Sequence, residues 1–201
     1  MPTSNTSTRP VRPASPVRAR AHRQPDPGAQ PQTYAKPMSG ASLAERMNVL
    51  WRAITHDSPS LAASVFFPES AYRQVKAIWN PNGDYRTRIG AIFARDVAAY
   101  RRALGGHASA ARLTGIVAAP SAAGWVPRRV CENAVGYWHL PGTRLVYVIG
   151  RTRYSVAVDS MISWRGVWYV IHLGPNTSPG SAGTVDDPRV GTGTPGYGAG
   201  C

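Results

Sequence analysis

This chain has little cysteine, little lysine, few acids and no long apolar run. Its two cysteines, Cys131 and Cys201, have no metal-ligand spacing, which excludes zinc-ribbon and iron–sulfur sites and leaves no metal expected. Neither lies beside a histidine in sequence, so a catalytic thiol has no local support. No stretch approaches the roughly 20 apolar residues of a membrane span, and no membrane-crossing helix is expected. The N-terminus carries basic residues without an apolar segment behind them, so it does not read as a secretory signal. The expectation is a cytoplasmic protein as the sequence is written, and an exported one if the true start lies upstream. A phosphate-cradling Gly-rich loop and a nucleophile elbow are also missing, and no cofactor is expected.

Acids are outnumbered. Ten acidic residues face 23 basic ones, for a formal net charge of +13. Only Lys36 and Lys76 among the basic residues are lysines; with abundant Ala, Gly and Pro, this bias fits a GC-rich genome. A basic chain attracts nucleic acid and anionic surfaces non-specifically. Here the charge is diffuse, with no Lys/Arg block and no aromatic–basic interleaving, so a dedicated nucleic-acid partner is not expected.

Apolar residues make up 43% of the chain but are unevenly spread. Residues 1–40 are rich in Pro, Ser, Thr and Arg, and residues 175–201 in Gly, Pro and Thr. Neither segment has enough apolar surface to offset its ordering entropy, so both are expected to be disordered. One folded domain is expected over residues 41–174.

Its first half reads as helices. "ASLAERMNVLWRAIT" repeats Leu43, Met47, Leu50, Trp51 and Ile54 at helical intervals, with Ser42 and Glu45 at capping-box spacing. "SPSLAASVFFP" and "ESAYRQVKAI" read as short helices separated at Pro68. Asn80-Pro81-Asn82-Gly83 reads as a turn, after which Asp84 opens the longest helix, closing at Gly105-Gly106. On that helix Asp96 falls inside the apolar stripe of Ile89, Ile92, Phe93, Val97 and Tyr100, where a carboxylate must be paired or neutral. It is therefore either a structural hydrogen-bond acceptor or a pocket acid with a raised pKa.

The second half reads as strands: "ARLTGIVAA", then "ENAVGYWHL", "TRLVYVIG", "YSVAVDSMISW" and "VWYVIHL". The last four are joined by Pro141-Gly142, by Gly150 to Arg153 and by Arg165-Gly166, short links that imply an antiparallel meander. Helices followed by a meander mean α+β, with helices on one sheet face. Folding the last hairpin about Arg165-Gly166 pairs Trp164 with Val167, Ser163 with Trp168, Met161 with Val170, and Asp159 with His172. The acid and the imidazole would then share the more polar face, where an exposed pair needs no function.

Helices followed by a curled meander ending in "ISWRGVWYVIHL" resemble the cone-shaped fold of the nuclear-transport-factor-2-like superfamily. More narrowly, "VGYWHLPGTRLVY" with "VDSMISWRGVWYVIHLG" resembles an uncharacterised family of small proteins from GC-rich Gram-positive bacteria, some of them exported. The superfamily resemblance implies a cone that binds a ligand or a protein partner, or that holds carboxylate, Tyr or His groups for isomerase- or dehydratase-like chemistry. On that implication Asp96, Tyr100 and Tyr147 are the candidate catalytic residues, with Asp159 and His172 behind them. Three functions follow as alternatives: a non-catalytic binding or interaction domain, an acid–base enzyme acting on an apolar ligand, and non-specific nucleic-acid binding through the basic head. Export would add a disulfide between Cys131 and Cys201, since the tail as a random coil spans about 30 Å.

Overall fold

The computed structural model describes residues 25–38, 40–175, 180 and 182–196. Helices precede an open antiparallel sheet, so the fold is α+β. α1 (Ala41–Thr55) buries Leu43, Met47, Leu50, Trp51 and Ile54. Its start differs from the capping box expected there. Gly40, at φ 120°, is the N-cap residue, and Ser42 is already helical, so its side chain makes no capping bond.

After α1, Pro59–Ala62 forms a single 3₁₀ turn where a short helix was expected, and α2 covers Glu69–Val75. The Asn80–Gly83 stretch does not reverse the chain. Asn80 Oδ1 accepts from the Gly83 N–H at 2.9 Å and Pro81 fills the first helical position, so residues that favour a turn here cap α3 (Pro81–Asp84). A π-helical segment, Tyr85–Gly90, leads directly into α4 (Ala91–Leu104), which stops at Gly105 with φ 54°.

The sheet contains β1 (Arg112–Val117), β2 (Gly124–Val126), β3 (Tyr137–Ile149), β4 (Thr152–Trp164), β5 (Val167–His172) and β6 (Arg189–Val190). Its order is β1-β3-β4-β5. β2 pairs with the first residues of β3, and β6 with Tyr154 and Ser155 of β4. The meander has one strand fewer than expected, because Pro141-Gly142 does not turn. Pro141 opposes Ser160 and Thr143 opposes Val158, so pairing to β4 continues across Gly142 (φ 56°) and the two expected strands are one. β2 lies in what was read as a loop.

α1 and α4 pack on the sheet. Trp51 lies against Tyr147 with ring centroids 4.7 Å apart, and Phe66 stacks on Phe93 at 4.2 Å. The last hairpin is buried on both faces: Met161, Ser163, Trp168, Val170 and His172 are each under 9% exposed, although their face was expected to lie away from the core or to line a shallow groove. Two neighbours bond its backbone. The Val65–Phe67 backbone bonds the free edge of β5, with Phe67 N–H donating to Val170 O at 3.0 Å and Val170 N–H to Val65 O at 3.0 Å. Gln32 reaches from the head to donate to Ser163 O at 2.9 Å and to accept from Arg165 N–H at 2.7 Å.

Of the two ends expected to be disordered, residues 1–24 and 197–201 lie outside the described residues. Residues 25–38 meet the hairpin, and residues 182–196 run back over the sheet. There Arg144 (6% side-chain exposure) pairs with Asp186 at 2.6 Å, and Gly196 N–H donates to Gly142 O at 3.2 Å. Among the described residues no helix is long and apolar enough to cross a membrane.

Candidate functional site

The expected Asp159–His172 pair does not form, and the reason is one residue. Pairing about Arg165-Gly166 follows expectation as far as Met161–Val170, but Ser160 then opposes His172. Ile171 is the extra residue, a bulge in β5 that moves His172 one position along its partner. His172 is 7% exposed rather than on an outer face. Both it and the half-buried Asp159 line a cavity of about 390 Å³ between α2, α3 and the sheet.

The helical wall presents Tyr72, Lys76, Asp84 and Arg88, and the sheet wall His139, Asp159, Ser160 and His172. Ile78, Ile89, Val126, Ile162 and Ile171 supply the apolar lining. Asp84 and Arg88 stand one helical turn apart, so the guanidinium grips both carboxylate oxygens at 2.6 Å. Tyr72 donates to Asp84, and Arg88 Nη2 donates to Tyr72 Oη at 2.8 Å. Burial alone would raise the Asp84 carboxyl, but the bonds from Arg88 and Tyr72 outweigh it and hold it below its ordinary range. Burial, reinforced by Asp84, pushes the Tyr72 phenol up, so it stays protonated.

Lys76 ends α2, where a bridge to Asn133 fixes its backbone, and its Nζ donates to Cys131 O at 2.6 Å. That carbonyl sits in a strained loop: Arg129, Cys131 and Glu132 all have φ between 54° and 72°. Three left-handed non-glycine residues within four positions cost on the order of 1 kcal/mol each, and such strain gathers at functional sites.

On the sheet wall His139 Nε2 and Ser160 Oγ share a hydrogen bond of 2.9 Å. Burial lowers the His139 pKa. It lowers that of His172 to about 4, helped by the charges of Arg88 and Lys76, so His172 is a neutral imidazole. Its Nδ1 is buried without a hydrogen-bond partner among the described residues. A buried ring nitrogen without a protein partner is costly unless a water or a bound molecule satisfies it.

None of Asp96, Tyr100 and Tyr147 lines this cavity. Asp96, 1% exposed, accepts from Gly174 N–H at 3.3 Å and Gly183 N–H at 2.7 Å, clasping the end of the sheet to the tail. Burial raises its pKa to about 6 against the pull of these donors. Tyr100 donates to Ala157 O at 2.5 Å, and Tyr147 is packed between Trp51 and Tyr154. The contacts of all three are with the protein's own backbone and aromatic rings. Cys131 is on the cavity wall and is not a free thiol; Cys201, its expected partner, lies outside the described residues. The helical-wall cluster was missed. Its one sequence signal was Asp84 and Arg88 at i, i+4 beside a tyrosine-bearing helix.

Among the described residues no three His, Cys, Asp or Glu side chains are grouped to hold a metal. Comparisons with protein families, with curated proteins and with solved structures return no match for this chain.

Proposed function

We propose that this chain is a binding domain for a small, partly apolar molecule, held in the hollow between α2, α3 and the sheet of a scaffold similar to the nuclear-transport-factor-2-like superfamily. The observation that carries this reading is the cavity itself. At about 390 Å³ it falls within the roughly 300–1,000 Å³ typical of ligand pockets, and its isoleucines face a few convergent polar groups. A core filled by its own side chains would have favoured a partner-binding or assembly role instead.

The test uses 1-anilinonaphthalene-8-sulfonate, an amphipathic fluorophore sized for such a hollow. Saturable one-to-one binding is expected, lost in Ile78→Trp, which fills the cavity from its partly exposed edge, and kept in Val190→Ser on the far strand β6. Absence of saturable binding, or equal binding by Ile78→Trp, overturns the reading.

A second reading, acid–base chemistry on a bound ketone, is favoured by the neutral His172 imidazole across the cavity from the Tyr72 phenol. It moves the catalytic role from Asp96 to His172. Exchange of the α-hydrogens of cyclohexanone for solvent deuterium, followed by NMR, should then be accelerated by the protein and lost in His172→Gln.

A further inference from the structure

Lys76 is the group in this cavity that its neighbours explain least. Its ammonium has one hydrogen-bond partner, the Cys131 carbonyl at 2.6 Å, and no described carboxylate lies within ion-pair distance. Arg88 stands on the same wall, already neutralised by Asp84. The carboxylates of Glu132 and Asp84 attract this half-buried ammonium only from beyond ion-pair distance, and a second cation stands beside it, a poor structural choice for a buried charge. The composition makes the placement more pointed. Of 23 basic residues 21 are arginine, so the chain meets nearly every other need for positive charge with a guanidinium. Arginine does not deprotonate in proteins and cannot act as a nucleophile, whereas a desolvated lysine can. The only other lysine, Lys36, is exposed, with its Nζ 4.9 Å from the centre of the Trp138 ring.

We propose that Lys76 is a covalent anchor for a small apolar aldehyde or ketone, its ε-amine adding to the carbonyl carbon to form an imine inside the hollow. The inference rests on the hollow being a ligand site and names the ligand's chemistry. In the step the neutral amine's lone pair forms the N–C bond while the carbonyl π pair moves to oxygen. One N–H proton passes to that oxygen, giving a carbinolamine. Its C–O bond then breaks as the second N–H proton leaves, and amine plus carbonyl have become imine plus water with no oxidant or reductant. Burial, and then Arg88, lower the Lys76 pKa and outweigh the attraction of Glu132 and Asp84, which increases the neutral fraction that can attack. The side chains of Ile78, Ile89, Ile162 and Ile171 line the same space, suited to an apolar remainder.

The experiment treats the full chain with benzaldehyde and sodium cyanoborohydride, which reduces an imine to a stable benzyl amine, and maps the adducts by peptide mass spectrometry. Lys76 is expected to label severalfold faster than the exposed Lys36, since the hollow holds the aldehyde beside it. Ile78→Trp should protect Lys76 while leaving Lys36 unchanged. Labelling of Lys76 no faster than Lys36 refutes the proposal. If the anilinonaphthalene probe still binds in that case, the ligand-site reading survives and only the imine falls; if it does not bind, both fall.

Discussion

Two buried groups give the stability of this domain a pH dependence of opposite signs. His172 is held down from 6.5 to about 4. Between those values the unfolded chain binds a proton that the native state refuses, so this group's contribution falls as the pH falls from 6.5 towards 4. Asp96 is pushed up from 3.8 to about 6. Between those values the native state holds a proton that the unfolded chain releases, so its contribution rises as the pH falls from 6 towards 3.8. At 1.36 kcal/mol per pH unit each effect amounts to about 3 kcal/mol, and both residues are under 8% exposed, so solvent screens little of it. In the natural chain the two nearly cancel.

Single substitutions separate them. Between pH 7 and pH 4, Asp96→Asn removes the rising contribution and should make the protein lose about 3 kcal/mol more than the natural chain. His172→Gln removes the falling one and should make it lose about 3 kcal/mol less. The contrast between the variants, about 6 kcal/mol, is free of the exposed carboxylates, which titrate alike in both. Urea midpoints at several pH values, each variant referred to its own pH 7 stability, provide the measurement. Parallel pH profiles for the two variants would refute the reasoning.

Three further outcomes are expected. Trp51→Ala, opening the core beside Tyr147, should cost about 3–5 kcal/mol in urea unfolding. Asp186→Asn leaves the buried Arg144 guanidinium without its carboxylate; a loss of about 2 kcal/mol is expected, together with faster proteolysis between residues 182 and 196. Gly142→Ala forces a side chain into a φ of 56° and against the Gly196 carbonyl, so the last described residues should detach, seen as new protease cleavage there with β3–β4 pairing retained.

Much of the fold could be read before the structure, wherever a local pattern and the tertiary packing agree. The apolar period of Leu43, Met47, Leu50, Trp51 and Ile54 marks α1 because that face is the one buried. Arg165-Gly166 marks the final turn because both residues take the positive φ, 51° and 78°, that a two-residue hairpin needs. The failures come where one local signal serves two structures. Asn80 and Pro81 favour a turn and a helix start equally, and only the apolar contacts downstream select the helix. Pro141-Gly142 would turn an isolated chain, but the pairing of its flanks with β4 outweighs that preference.

The cavity was hidden for a stronger reason. Its wall draws on α2, α3, the π-helical segment, β2, the strained loop, β3, β4 and β5, and no local pattern ties these together. Periodicity also misdirected the search. It placed Asp96 in an apolar stripe, correctly, but a stripe position says only that a residue is buried, not whether it meets a ligand or the protein's own backbone. Asp96 meets backbone N–H groups. For His172 the error lay in the register: perfect alternation put it opposite Asp159, on a face turned from the core or lining a shallow groove, and the bulge at Ile171 put it opposite Ser160 in a cavity wall. A single inserted residue is invisible to a period-two pattern yet displaces everything beyond it. The groups that the structure gathers around the hollow are therefore those that sequence spacing keeps apart. What a sequence of this kind still offers is a compositional exception, and Lys76, one of two lysines in an arginine-rich chain, is where that exception coincides with the cavity wall.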